Sequence, residues 1–409
     1  MAMPIHLEGT TLEGGGQLLR LATCLSALTS APITITNIRA KRSGGGGLKA
    51  QHLTSVQWLG NASNARLSGV GLKSKEITFT PQSRTVSRLE WSNEGDVHIK
   101  QSTPGSVNLV LQAVLPYMLF ANVGSADVEV GKEIRVKITG GTNVSNSPSC
   151  DYIEQVLAPM LSLIGIPPIK TQIHSRGWSQ GGARLGSVTY SITPLSKPLP
   201  AFQLCDRGDV KSIRATIIAP KDAELRFRDE LDVMFERREE NIFRNTQPDV
   251  QVTFEDSMHE KRYYLLLVAT TTTGVRLGRD WLYDHAVRAG KVDTVISNVV
   301  KKVSEDLIEE VDHAGCVDEY MRDQLVVFQA LAVGKSNVYG GKRKEVLLEP
   351  SLHAKTAHWV AKEIIDVDFD NDGGCEGVGF GADQNYNTAE SVVEQNLAHG
   401  LEKLEVAGC

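Results

Sequence analysis

His353 follows Pro350-Ser351-Leu352, where a helix is predicted to begin. A neutral imidazole near pH 7 can attack phosphorus, and the resulting P–N bond is a good leaving linkage for onward transfer. His358 lies five residues on and points to a different helix face, so it reads as an ordinary packed histidine. Near the start of the chain, Glu13-Gly14-Gly15-Gly16-Gln17 opens another predicted helix. Free backbone N–H groups there, with no Cβ in the way, suit a phosphate, and Arg20 one turn on can reach the same anion. A glycine triplet by itself is weak evidence, and a plain turn is the commoner explanation.

Residues 38–52 read IRAKRSGGGGLKAQH and gather Arg39, Lys41, Arg42 and Lys49 around a glycine loop leading into a helix. Arginine forks match phosphate oxygens in bidentate geometry. A solvated charged face explains the same cluster equally well. Tyr320, Asp323 and Gln324 stand three or four apart and can share one helical face. An aromatic ring with an amide and a carboxylate can form a nucleotide pocket. Acidity complementing a helix dipole is the plainer account of the same residues. The familiar phosphate signatures GxxxxGK[ST] and GxGxxG are missing, as is the lysine of a KxDG box. Adenylation of this chain would therefore not follow the lysine route.

The elements that must position these residues recur three times. In each copy a polar or glycine-containing turn opens an apolar helix, a β-rich segment follows, and a polar loop leads to a second helix. The first copy has Leu18, Leu19, Ala22, Leu25 and Leu28 at helical period. A strand is read at Ile33-Thr34-Ile35-Thr36, a loop over 43–47, and a second helix through Leu48, Leu53, Val56 and Leu59. The second copy opens at Pro104-Gly105-Ser106 and runs through Leu109, Leu111, Val114 and Leu115. Strands are expected at 128–130 and 136–138, and a helix carries Ile153, Val156, Leu157, Met160 and Leu161. The third copy begins near Asp318, continues to Leu348 and ends in a helix over 351–365. Such repetition implies pseudo-symmetric packing, each sheet covered by its own helices. A charged stretch over 221–244 and an apolar strand over 263–270 interrupt the pattern and read as an inserted smaller domain.

The chain has 409 residues, 41% hydrophobic and 22% charged, so a sizeable core can be buried. Its formal net charge of −6 argues against retention on nucleic acid by bulk positive charge, and any RNA must meet a local basic site. Cys24, Cys150, Cys205, Cys316, Cys375 and Cys409 form no CxxC pair, which suggests free thiols in a reducing compartment and no zinc site. No signal peptide is read at the start, and the apolar stretch 109–123 is broken by Gln112 and Pro116. A soluble intracellular protein is the expectation.

Six ordered blocks resemble the RNA 3′-terminal phosphate cyclase family. They are EGGGQLLR (13–20), IRAKRSGGGGLKAQHLTSV (38–56), LVLQAVLP (109–116), GGTN with SPSCDY (140–143 and 147–152), VDEYMRDQL (317–325) and SLHAKTA (351–357). The resemblance implies an α/β (α+β) fold with a large domain of three repeated helix-and-four-stranded-sheet units. A smaller α/β domain would be inserted before the third. Expected boundaries are 1–190 and 287–382 for the large domain, 191–286 for the insert and 383–409 for a polar tail. The implied reaction is ATP-dependent: a histidine takes AMP from ATP, passes it to an RNA 3′-phosphate end, and the vicinal 2′-OH closes a 2′,3′-cyclic phosphate.

By the same resemblance, His353 stands at the nucleophile, and Tyr320 and Pro148 at the pair sandwiching adenine. Gln112, Asp323 and Gln324 match nucleotide contacts. Arg20, Arg39, Arg42 and Gln51 match groups lining the phosphate and RNA site. Glu13 matches a residue near a divalent metal, magnesium or manganese. A nuclear location and no membrane association are also implied. One departure is visible, since residues 176–183 replace the family's RGxxPxGGG with RGWSQGGA, lacking the proline and third glycine. The family also has a catalytically silent branch, acting in ribosome assembly, that lacks the histidine. Retention of His353 with Tyr320, Asp323 and Gln324 favours the enzyme.

Overall fold

A computed structural model describes residues 3–42, 45–82, 96–121, 132–243, 245–246, 249–287 and 290–381. The strand expected at 128–130, part of the 43–47 loop and the polar tail lie outside them.

The repeat is visible in the strand order. The first copy runs β1 (Ile5–Glu8), α1 (Gly16–Thr29), β2 (Ile33–Thr36), α2 (Ala50–Ala62), β3 (Arg66–Ser68) and β4 (Ile77–Thr80). Its sheet is ordered β1-β2-β4-β3, with β1 and β2 parallel. The second copy repeats this with β5 (Asp96–Lys100), α3 (Val107–Phe120) and β6 (Ile134–Gly140). A helical run α4 follows, from Cys150–Tyr152 through a π turn at Ile153–Leu157 to Ala158–Leu163, and then β7 (Lys170–Ser175) and β8 (Gly186–Ile192). Its order β5-β6-β8-β7 matches the first sheet position by position. Each copy thus opens with a strand parallel to its second strand, a pairing that local spacing in β1 or β5 does not show.

The third copy has the same logic around an interruption. β9 (Gln203–Leu204) lies parallel to β14 (Val333–Val338), which pairs antiparallel with β17 (Gly374–Val378). Between β9 and α7 (Glu319–Leu331) enters a separate unit. It comprises β10 (Val210–Ala219), α5 (Glu224–Ile242), β11 (Val250–Asp256), β12 (Tyr264–Thr271), β13 (Arg276–Leu282) and α6 (Val292–Asp312). Its sheet is ordered β11-β10-β12-β13, and α6 packs on β12, β13 and α5. After β14 come a small hairpin, β15 (Lys342–Arg343) with β16 (Val346–Leu347), and then α8 (Leu352–Ile365). Among the described residues the third sheet has three strands.

The first helices of the copies form the centre. α3 is largely apolar, and all its residues but Leu109 and Gln112 are buried. α1 packs on α2, α3 and α8, and α8 packs on α7. β2, β4, β5 and β6 alternate buried with more exposed positions, as in Ile33-Thr34-Ile35-Thr36, because helices cover one face only, whereas β12 is buried almost throughout. Among the described residues no helix is long and apolar enough to cross a membrane. The five described cysteines are free.

The atypical segment after β7 is anchored by charge. Arg176 donates to both oxygens of buried Asp151, at 2.5 and 2.9 Å, and to both of Glu255 at 3.0 and 2.7 Å. Gly177 sits where a Cβ would strike the carbonyl of Gly140, so only glycine fits there. Trp178 is buried under the guanidinium of Arg262, whose side chain also donates to the carbonyls of Gln180, Gly181 and Gly182. These bonds hold the loop without the proline. Arg176→Met strands Asp151 as a buried uncompensated charge and is expected to cost about 3–5 kcal/mol. Urea unfolding should show that loss, and Asp151→Asn in the same chain should restore part of it.

Candidate functional site

Six helices turn their N-terminal ends toward one another, and a chain of contacts links them. Between α1 and α8, the Glu13 N–H donates to Thr356 Oγ1 at 3.2 Å. Between α1 and α2, His52 lies over Gly16, where an added Cβ would come within 2.6 Å of Nε2. Between α2 and α3, Gln51 Oε1 accepts from the Ser106 N–H at 3.2 Å. Between α3 and α4, Asn108 Nδ2 donates to the Pro148 carbonyl at 2.7 Å. Between α4 and α7, the Tyr152 hydroxyl donates to Asp318 Oδ1 at 2.7 Å. Every copy therefore contributes positive helix ends to the same region.

Most of these ends are satisfied by their own sequence. Ser106 caps α3, Ser149 caps α4, Asp318 caps α7 and Ser351 caps α8, each accepting from a backbone N–H of the first turn. The start of α1 differs: Gly15 is its N-cap and no side chain caps it. A Cβ on Gly15 would displace the Glu13 carboxylate, which lies directly over this glycine. The unfilled N–H groups of α1 are thus the natural seat for an anion.

Cations surround that seat. Arg20 lies over Gly16, with NH2 donating to Gln17 Oε1 at 2.6 Å. Burial lowers its pKa to about 10, while Asp323 on α7 acts to raise it. Arg42 pairs with Glu13. Arg39 holds a left-handed backbone, φ +54°, and donates to the Gly47 carbonyl at 3.4 Å. Lys41 Nζ donates to the Thr10 carbonyl at 2.9 Å.

His353 occupies the first turn of α8, its side chain open to solvent. Partial burial lowers its pKa below the ordinary histidine value, and the charges of Arg20 and Arg42 add to this. Glu319 on α7 pulls the other way. The ring is therefore neutral at pH 7 and stands in the field of both arginines. His358 is stacked on Phe369 at 4.0 Å and 4°, as a packed residue should be.

On the far side, the Tyr320 ring meets Tyr152 edge-on at 6.0 Å. Tyr152 lies four residues beyond Pro148, so α4 and α7 carry Pro148 and Tyr320 into one neighbourhood. Asp323 accepts from Gln324 Nε2 at 2.9 Å, and burial pushes its carboxyl up to about 7. Gln112 lies on α3 with a buried Oε1 that has no partner, and Glu13 Oε2 is in the same condition. Each orphan acceptor costs about 1–3 kcal/mol until a donor or cation reaches it.

A divalent cation would find one protein ligand here, the orphan oxygen of Glu13. Among the described residues no group of three or more His, Cys, Asp or Glu could hold a metal alone. One carboxylate oxygen together with phosphate oxygens is an ordinary magnesium environment, so the residues fit a metal that arrives with a phosphorylated ligand.

The sequence reading passed over three members of this region. His52 is buried, its Nδ1 accepts from the Lys49 N–H at 3.3 Å, and burial takes its pKa to about 3. Its Nε2 therefore carries the proton and faces the start of α1 as a neutral donor. A histidine three residues after the cap position of α2 was the available signal. Asp318 is a local cap whose bonds to Tyr152 and Gly278 are long-range, and Arg279 gave no signal, since its partners lie far away in sequence.

Comparison with known proteins places the chain in a family. The sequence model described as RNA 3′-terminal phosphate cyclase matches residues 11–371. Proteins named RNA 3′-terminal phosphate cyclase are similar over most of their length. The one from Caldivirga maquilingensis is 32% identical over 339 residues, covering 81% of this chain and 86% of the relative. The one from Pyrococcus furiosus is 30% identical over 372 residues, covering 90% and 96%. That from Drosophila melanogaster is 28% identical over 376 residues, covering 90% and 92%. With the three copies, their meeting helix ends and a match spanning most of the sequence, the chain belongs to the RNA 3′-terminal phosphate cyclase family.

Proposed function

We propose that this protein converts RNA 3′-terminal phosphates to 2′,3′-cyclic phosphates at the expense of ATP. The observation that carries the reading is His353: a neutral, accessible imidazole set at a helix start within the field of Arg20 and Arg42, beside the uncapped end of α1. Its ring nitrogen attacks the α-phosphorus of ATP, the bond to pyrophosphate breaks, and AMP is left on the imidazole. The oxygen of an RNA 3′-phosphate then displaces the imidazole and takes the AMP. The 2′-OH attacks that activated phosphate, loses its proton, and AMP departs with the bonding electrons.

In this reading the N–H groups of α1, with Arg20, Arg39, Arg42 and the Nε2–H of His52, hold phosphate oxygens and stabilise developing charge. Gln51 positions the starts of α2 and α3 and turns its amide toward the same region. The base lies between Pro148 and Tyr320. The orphan Oε1 of Gln112 accepts a hydrogen bond from the ligand, and Asp323 and Gln324 contact the nucleoside. Glu13 holds a divalent metal, which when bound supplies charge neutralisation on the phosphates. The division of the chain belongs to the same reading: the repeat domain carries every residue just named. The packing of α6 extends the inserted unit as far as Asp312.

Incubation with α-labelled ATP and magnesium or manganese should attach label that is stable to alkali and lost in acid. His353→Ala should abolish it; normal labelling of that variant would move the nucleophile elsewhere. A parent chain that never labels would favour the silent, ribosome-assembly branch. Because the imidazole must be neutral to attack, and its pKa is held below 6.5, the labelling rate should be flat around pH 7–8. It should fall only below the ordinary histidine range; a rise on acidification would contradict a neutral nucleophile. Tyr320→Ala should lose base stacking worth about 1–3 kcal/mol, seen as a raised KM for ATP with a smaller change in kcat.

A further inference from the structure

We propose that β13 of the inserted unit positions both walls of the base slot, through Arg279 and through Asp280 with its partner Tyr264 on β12, Arg279 and Tyr264 being the positioning residues. The inference rests on the reading that a purine base lies between Pro148 and Tyr320. Three consecutive residues of β13 carry it. Gly278 donates its N–H to Asp318 Oδ2 at 2.8 Å, and Asp318 is the cap of the helix that bears Tyr320. An added Cβ at Gly278 would come within 2.5 Å of Val156 and 3.1 Å of Tyr152, so the strand presses directly on α4.

Arg279 places its guanidinium 4.7 Å from the centre of the Tyr320 ring. Its NH2 is fixed by buried Glu310 at 2.8 Å and by Glu319 at 3.1 Å. One face of Tyr320 is thereby covered by a held cation, which leaves the opposite face for the base and sets the tilt of the ring. Asp280 works on the other wall. Its Oδ2 accepts from the Tyr264 hydroxyl at 2.9 Å, and that hydroxyl lies 2.6 Å from Ser149 Oγ. Ser149 is the residue after Pro148 and caps α4 by accepting from the Tyr152 N–H at 2.9 Å. Alternation along β13 turns Arg279 and Asp280 to opposite faces, so one short strand reaches α7 with one residue and α4 with the next. The inserted unit therefore sets the width and tilt of the slot through residues that need not touch the nucleotide.

The test compares a ligand that needs the slot with one that does not. Affinities for ATP and for inorganic tripolyphosphate, each with magnesium, are measured by calorimetry on the full chain. Tyr264→Phe and Arg279→Met should weaken ATP about ten-fold and leave tripolyphosphate within about two-fold. Arg279→Lys, which keeps a cation over the ring, should recover most of the ATP affinity. Equal weakening of both ligands, or ATP affinity unchanged in Tyr264→Phe, would overturn the proposal. Arg279→Met strands Glu310 and can fail to fold; Tyr264→Phe, which removes one oxygen, then decides. Tyr320→Ala separates the layers. If it leaves ATP affinity unchanged, the base slot itself is wrong and the inference falls with it. If it weakens ATP while Tyr264→Phe does not, only the role of β13 is lost.

Discussion

The start of α1, whose N–H groups no side chain caps, is the constraint around which the neighbouring helix ends are arranged. Backbone N–H groups at a helix start are unsatisfied and carry the positive end of the peptide dipoles. Four neighbouring helices answer that need within themselves, through Ser106, Ser149, Asp318 and Ser351. α1 alone among them ends in glycine, beside Arg20, Arg42 and a neutral His52. Positive potential is thereby concentrated at one place in a chain whose net charge is −6.

Repetition is what makes such a centre possible. Each copy delivers two helices whose starts join the chain of contacts around α1. Packing the first helices together through apolar α3 brings those ends into one region. The buried carboxylates nearby are all tied down: Asp151 by Arg176, Asp318 by Tyr152 and two backbone N–H groups, Glu310 by Arg279. That leaves Glu13 with one orphan oxygen, and Asp323 with its pKa near neutrality, as the acidic groups the centre keeps available.

Much of this was legible in the chain itself. Helical periodicity located α1, α3, α7 and α8, and the glycine and arginine clusters pointed to the anion seat. The expected helix over 351–365 is α8 with its serine cap. β1, β5 and β9 were not read; β9 has only two residues, and β1 and β5 gain their place by parallel pairing with β2 and β6, which local spacing does not show. The place where the insert enters was equally hidden, since β9 acquires meaning only by pairing with β14 more than a hundred residues later. Tyr264 stood in the strand read over 263–270, and Arg279 and Asp280 lay outside any element that was read. Their partners on α4 and α7 are long-range, and single-sequence patterning sees local spacing only.

The central claim is that the imidazole at the start of α8 receives a nucleotidyl group from a triphosphate held at the start of α1. Mass spectrometry of peptides from protein exposed to ATP and magnesium, digested at alkaline pH, locates that group directly. The account predicts an added AMP on the peptide containing His353 and on no other. An adduct on a lysine, or on His52 or His358 with His353 unmodified, would contradict it.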